Sequence, residues 1–163
     1  MKDYIMERRV FKHDKTDLGY EDLNAESTSS GRKYAAPNGV RYPSVTTVLA
    51  ILSEEFIQRW RARVGEEEAN KVSHRASTRG TAVHDIVEKY LDNEELPDVL
   101  PHITASLNNL KPSLNRIGRI FAQESPLYSR HLGVAGRVDC VGEFDGVPSI
   151  IDFKTSKKIK KKE

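Results

Sequence analysis

A chain of 163 residues, 37% hydrophobic and 31% charged, is long enough for one domain with a real core and too short for two comfortable ones. Its net charge of +2 does not announce a nucleic-acid binder, and its single cysteine, Cys140, excludes an internal disulfide and fits a reducing compartment. No apolar run approaches membrane-spanning length, no signal-peptide pattern opens the chain, and its acidic first thirty residues argue against a mitochondrial transit peptide; a soluble cytoplasmic protein without membrane contact follows.

Residues 1–31 mix charges with "NAESTSSG" and show no sustained period, so they read as a flexible N-terminal arm or an early strand. "RKYAAPNGVRYPS" reads as a hairpin, because Asn38-Gly39 is a favoured tight turn between β-prone runs. Thr46 to Leu52 continues as a short apolar helix or turn. Ser53 then caps a helix through "EEFIQRWRARV", where Phe56, Trp60 and Val64 recur at helical spacing and point to the core. Another helical stretch runs from Glu66 to about Arg75, and Gly80 separates it from "TAVHDIVEKYL". There Val83, Ile86, Val87, Tyr90 and Leu91 make an apolar stripe. Pro101 suits a helix start. Pro112 restarts the helix, which continues through Leu114, Ile117 and Phe121. After Ser125-Pro126 the pattern turns to strands: "LYSRHLGVAG", "RVDCVGEF" and "VPSIIDFKT". Helices first and a mostly antiparallel meander last give an α+β chain.

Asp145-Gly146 is the strongest turn signal in the sequence. A two-residue loop there pairs Phe144 with Val147, Glu143 with Pro148, Val141 with Ile150 and Asp139 with Asp152. The alternation places Pro148 where no N–H is needed. It also places Val138, Cys140, Phe144, Val147, Ile151 and Phe153 on a core face, and Asp139, Val141, Ile150, Asp152 and Lys154 on the other. Two opposed carboxylates destabilise a ladder unless a cation sits between them. A hard divalent ion such as Mg²⁺ resolves the conflict, with Mn²⁺ able to substitute, and Lys154 reaches the same group. The bland alternative is a solvated hairpin face with Lys154 or Arg137 pairing the aspartates.

Asp139 followed by Asp152-Phe153-Lys154 resembles the PD-(D/E)xK nuclease core. "RGTAVHDIVEKYL" is similar to the G-x-x-x-H helix of its RecB-type branch, with Gly80 and His84 in the matching places. "YPSVTTVL" with Trp60 resembles the group of mitochondrial genome maintenance exonucleases and their phage relatives. The resemblance spans about residues 32–158, taken as a single nuclease domain followed by a basic tail, 159–163. It implies a restriction-endonuclease-like α/β-type core and a Mg²⁺-dependent deoxyribonuclease, exonucleolytic on single-stranded DNA or DNA ends. Asp139, Asp152 and Lys154 would be catalytic. His84, Glu124, Asp139, Asp152 and the Phe153 backbone carbonyl would be metal ligands, the Ile151 carbonyl being the alternative. A further helix with Q-x-x-x-Y normally follows the D-x-K strand; the sequence ends instead at "KKIKKKE". The core therefore reads as lacking that helix, or as completed by a separately encoded C-terminal segment. An endonuclease on the same core and a catalytically silent DNA-binding fragment are the alternatives.

Taken as residues alone, His84 better suits the edge of a helix stripe, paired with Glu88, than a ligand role. Ser44 and Thr46 are DNA-phosphate contacts or helix caps. Arg61 and Arg79 belong to a basic series with Arg59, Arg63 and Arg75, and Lys157 belongs to the terminal lysines; both groups are solvated charge or DNA contacts.

Overall fold

The computed structural model of the chain describes residues 9–155; the first eight residues, Lys157 and the tail 159–163 lie outside them. Ser44 opens the helical half. Its hydroxyl accepts the Thr47 N–H at 2.9 Å and so caps α1, Val45–Val64. This helix runs unbroken through Ser53, which is not the cap expected: its hydroxyl donates back to the Ala50 carbonyl at 3.2 Å, a bond that lets serine sit inside a helix. Gly65, at φ 87°, ends α1. No residue of α1 is fully buried, and Phe56 is 69% exposed, so the expected Phe56–Trp60–Val64 stripe does not face the core.

The second helix, α2, is Glu66–Leu91, with Glu66, Glu67 and Glu68 in the first turn, where acids favour a helix dipole. It continues through Gly80 instead of breaking there. A mid-helix glycine costs about 1 kcal/mol, and the buried Val83, Ile86, Val87, Tyr90 and Leu91 that follow offset it.

The third, α3, is Pro101–Leu114, with Pro112 inside its last turn. The expected continuation through Ile117 and Phe121 is a strand, β5, Ile117–Ser129. The spacing misleads for a physical reason. Leu114 closes α3 and Ile117 opens β5, both buried and three residues apart, and register shifts in β5 between Ile117, Ile120 and Ala122 keep Ile120 buried as well. That spacing imitates a helix.

"LYSRHLGVAG", expected as one strand, is divided by a turn in which the Gly133 N–H donates to the Ser129 carbonyl. The next strand, β6, is Val134–Phe144, and β7 is Val147–Ile151. With β1, Lys12–His13, they form a sheet ordered β1-β5-β6-β7, antiparallel except for β1 against β5. The fold is α+β. Its main core joins α2, α3 and this sheet through residues including Leu91, Leu107, Ile120, Cys140 and Phe153.

A second sheet, β2-β3-β4, contains Asn24–Thr28, Gly31–Ala35 and Arg41–Pro43. The expected hairpin is β3–β4, and β2 adds a third strand. The described part of residues 1–31 is therefore not a free arm. Phe11 is buried in the main core, bonded through its backbone to the Asn93 side chain at 2.7 and 3.0 Å, and Leu23 is buried beside Tyr34 and Tyr42.

The Asp145-Gly146 loop has φ 51° and 81°, and the rungs Phe144↔Val147, Glu143↔Pro148 and Val141↔Ile150 fall as expected. The ladder ends at Cys140↔Ile151, so Asp139 and Asp152 do not form a rung. Val147, expected in the core, is 61% exposed at the hairpin tip.

Candidate metal centre

Three elements converge midway along β5 and β6, one residue past the end of the β6–β7 ladder. His84 stands on α2 at the edge of its apolar stripe, Glu124 on β5 and Asp139 on β6. One ligand atom from each lies within 4.8 Å of the others, and His84 Nδ1 is 3.5 Å from Asp139 Oδ1. Glu124 lies between the rungs Gln123↔Cys140 and Ser125↔Val138, so it stands across from Asp139. Opposed carboxylates do occur on adjacent strands here, but the partner of Asp139 comes from β5 and not from β7.

The surroundings hold these groups in place. Phe153 N–H donates to Asp139 Oδ2 at 2.6 Å, and the Phe153 ring meets the His84 ring edge-on at 6.1 Å. Glu124 has φ 43°, a left-handed conformation unusual for a residue with a side chain. Arg137 Nη1 donates to the Glu124 carbonyl, while Nη2 is fixed by both oxygens of Asp22 at 2.5 Å. The strained residue is thus gripped from a segment that precedes β2.

Electrostatics follow the geometry. Burial, then the Asp139 and Glu88 carboxylates, raise the Glu124 carboxyl above its ordinary value, against Arg137 and His84. Burial, then Asp92 and Asp85, raise Glu88. Burial, and then Asp139, push the Cys140 thiol up to about 11, which keeps it neutral and unreactive.

A pocket of about 680 Å³ opens on the cluster. Gly80, Thr81, His84, Asp85, Glu88, Glu124, Arg137 and Asp139 line one side, and Ala25, Ser27, Arg32 and Tyr34 line the other.

The remaining expected site residues fall elsewhere. Asp152 and Lys154 follow the end of β7, mostly exposed, and pair with each other at 2.6 Å. Neither lines the pocket. Phe153 meets the cluster through its N–H and its ring. Ser44 is only 2% exposed and bonds the hydroxyls of Thr46 and Thr47 at 2.9 and 2.8 Å, so it is a cap rather than a surface donor. Arg61 is spent on Glu66 and Asn70 at the α1–α2 junction. Arg79 is half-buried, with Nε hidden and without a hydrogen-bond partner among the described residues.

Sequence reasoning missed Arg137 as a support for Glu124, and it missed Arg32 and Asp85. Glu88 was legible only as the residue one turn beyond His84.

No family model matches the chain. It is 29% identical over 129 residues to human "Mitochondrial genome maintenance exonuclease 1", an alignment covering 72% of this chain and 38% of the relative. The mouse protein of the same name is 27% identical over 155 residues, covering 85% of this chain and 46% of the relative. The chain thus spans less than half the length of these curated relatives.

One imidazole nitrogen and two carboxylate oxygens within reach of one atom suit a divalent cation with a preference for oxygen ligands. Burial first, and the Asp139 and Glu88 carboxylates second, raise the Glu124 carboxyl, and a cation held there would offset both. The residues fit such an ion.

Proposed function

We propose that this chain carries the active centre of a metal-dependent nuclease that hydrolyses DNA phosphodiesters. On this reading it is an exonuclease on single-stranded DNA or DNA ends, built on a PD-(D/E)xK core of the RecB-like type. The meeting of His84, Glu124 and Asp139 from one helix and two strands, lining a pocket of about 680 Å³, carries the reading. The similarity to part of an exonuclease agrees with it.

His84, Glu124 and Asp139 would hold Mg²⁺, with Mn²⁺ able to take its place. A cation bound there polarises water and the phosphoryl oxygens and neutralises charge on the transferring phosphate. The protein's own groups set up that centre. Phe153 N–H fixes the rotation of the Asp139 carboxylate, and Arg137 fixes the backbone of Glu124. Asp152 would supply a further oxygen ligand to such an ion, and Lys154 would offer its ammonium to the phosphate. The two share a 2.6 Å ion pair one residue to either side of Phe153, close in sequence to the group that touches Asp139.

A panel of circular and linear, single- and double-stranded DNA, with Mg²⁺, Mn²⁺ or EDTA, tests the reading. Degradation of linear single strands that needs either cation is the expected result. Cleavage undiminished in EDTA, or no cleavage of any substrate, contradicts it.

A further inference from the structure

The pocket has two unlike walls. The wall of α2, β5 and β6 carries Asp85, Glu88, Glu124 and Asp139, all acidic, and any phosphate drawn to the centre must approach this charge. The facing wall is one side of the β2–β3 hairpin. Its lining residues are two directly opposed pairs, Ala25↔Tyr34 and Ser27↔Arg32.

Among the described residues, only two cationic side chains other than the His84 imidazole line the pocket, Arg32 and Arg137. Arg137 is committed to Asp22 and to the Glu124 carbonyl. The Arg32 guanidinium has no ion pair or hydrogen bond among the described residues. Its backbone, by contrast, is fastened at both ends. The Arg32 N–H donates to Thr47 Oγ1 at 3.1 Å, and the Arg32 carbonyl accepts the Ser44 N–H at 2.8 Å. Gly31 packs so closely on the Thr47 side chain, at φ 105°, that no larger residue fits there. The Ser44-x-x-Thr47 segment that caps α1 is therefore also the clamp that sets Arg32 at the pocket wall. A fixed backbone with a free guanidinium facing acids is an arrangement suited to an anionic ligand.

We propose that Arg32 is a phosphate-contact residue for the DNA strand engaged at the metal centre, and that Ser44 and Thr47 position it. This rests on the nuclease reading above. Arg32 supplies the positive charge that lets a phosphodiester enter beside four carboxylates. Ser44 thus acts toward DNA through Arg32 and not by direct contact.

The test is the binding of a fluorescently labelled single-stranded oligonucleotide in EDTA, by anisotropy, across about 50 to 200 mM salt. Each phosphate neutralised on a single strand contributes about −0.7 to the slope of log K against log salt. Arg32→Ala is expected to weaken binding and make the slope shallower by about 0.7. Arg32→Lys, which keeps the charge, is expected to restore the slope. Thermal melting of both variants should match the wild type, because the bonds that fix this segment are made by its backbone.

Wild-type affinity and slope in Arg32→Ala overturn the proposal. If the wild type cleaves and binds DNA while Arg32→Ala is unchanged, only Arg32's role falls. If the wild type neither binds nor cleaves DNA, the nuclease reading falls and takes this inference with it.

Discussion

Phe153 N–H donates to Asp139 Oδ2 at 2.6 Å, joining the segment after β7 to the cluster. If the ladder had continued, its alternation would have aimed that N–H at the Val138 carbonyl; the Asp139 side chain takes it instead. Asp139 therefore does two jobs, and two substitutions separate them. Asp139→Asn keeps an acceptor for Phe153 but loses the charge. Its urea stability in EDTA should stay within about 0.5 kcal/mol of wild type, and Mg²⁺-supported cleavage should be lost. Asp139→Ala leaves the N–H without a partner and should cost about 1–3 kcal/mol besides. Equal stabilities for the two variants would show that the Phe153 bond contributes nothing.

The Glu124 carboxyl is raised above its ordinary value of 4.5, chiefly by burial. A raised acid favours its neutral form in the folded state. Its stabilising contribution is complete below 4.5 and disappears as pH rises through the higher folded value. Melting temperature in EDTA should therefore fall across that window, and the increase produced by Mg²⁺ should grow with pH. Glu124→Gln should flatten both trends in a pH series of thermal melts. A Glu124→Gln profile that overlays the wild type would remove Glu124 from the account.

Arg137 touches the Glu124 backbone and no other member of the cluster. Hydrogen-bond partners of metal ligands are typically worth about 10–100-fold in affinity. Arg137→Ala should weaken Mn²⁺ binding by that order, and Asp22→Asn should do so by less, since Arg137 then keeps its bond to the carbonyl. Calorimetric titration of both variants measures the ranking, and the reverse order would contradict it.

Ser44 and Ser53 were both legible as helix caps, and only Ser44 is one. Ser44→Ala should lose about 1 kcal/mol of stability, and Ser53→Ala less than about 0.5 kcal/mol. Denaturant midpoints decide this directly.

Asp152 and Lys154 form an exposed pair, and such pairs contribute about 0–1 kcal/mol. Asp152→Asn and Lys154→Met should barely alter stability yet strongly reduce cleavage. Full activity in both would confine the centre to His84, Glu124 and Asp139.

Much of this was readable in the residues, and the failures share a cause. The Asp145-Gly146 turn fixed its hairpin through five rungs because turn chemistry and alternation are local. The exit of β7 was not readable, because a side chain from another strand captured the Phe153 N–H. Leu114, Ile117 and Phe121 looked helical because Leu114 closes α3 and Ile117 opens β5, both buried and three residues apart. His84 and Glu124 came from resemblance alone; their meeting depends on how α2 lies against β5 and β6, which no local pattern encodes. Arg32 and Arg137 carry no motif at all. Their places follow from cross-strand register and from a bond across 115 residues between Arg137 and Asp22.

The central claim is that one imidazole and two carboxylates from separate elements share a divalent cation. Calorimetric titration of Mn²⁺ into the wild type and into His84→Ala, Glu124→Gln and Asp139→Asn tests it most directly. Saturable binding by the wild type that weakens in each of the three variants is the predicted result. Binding of equal strength in all four proteins, or none in the wild type, would contradict it.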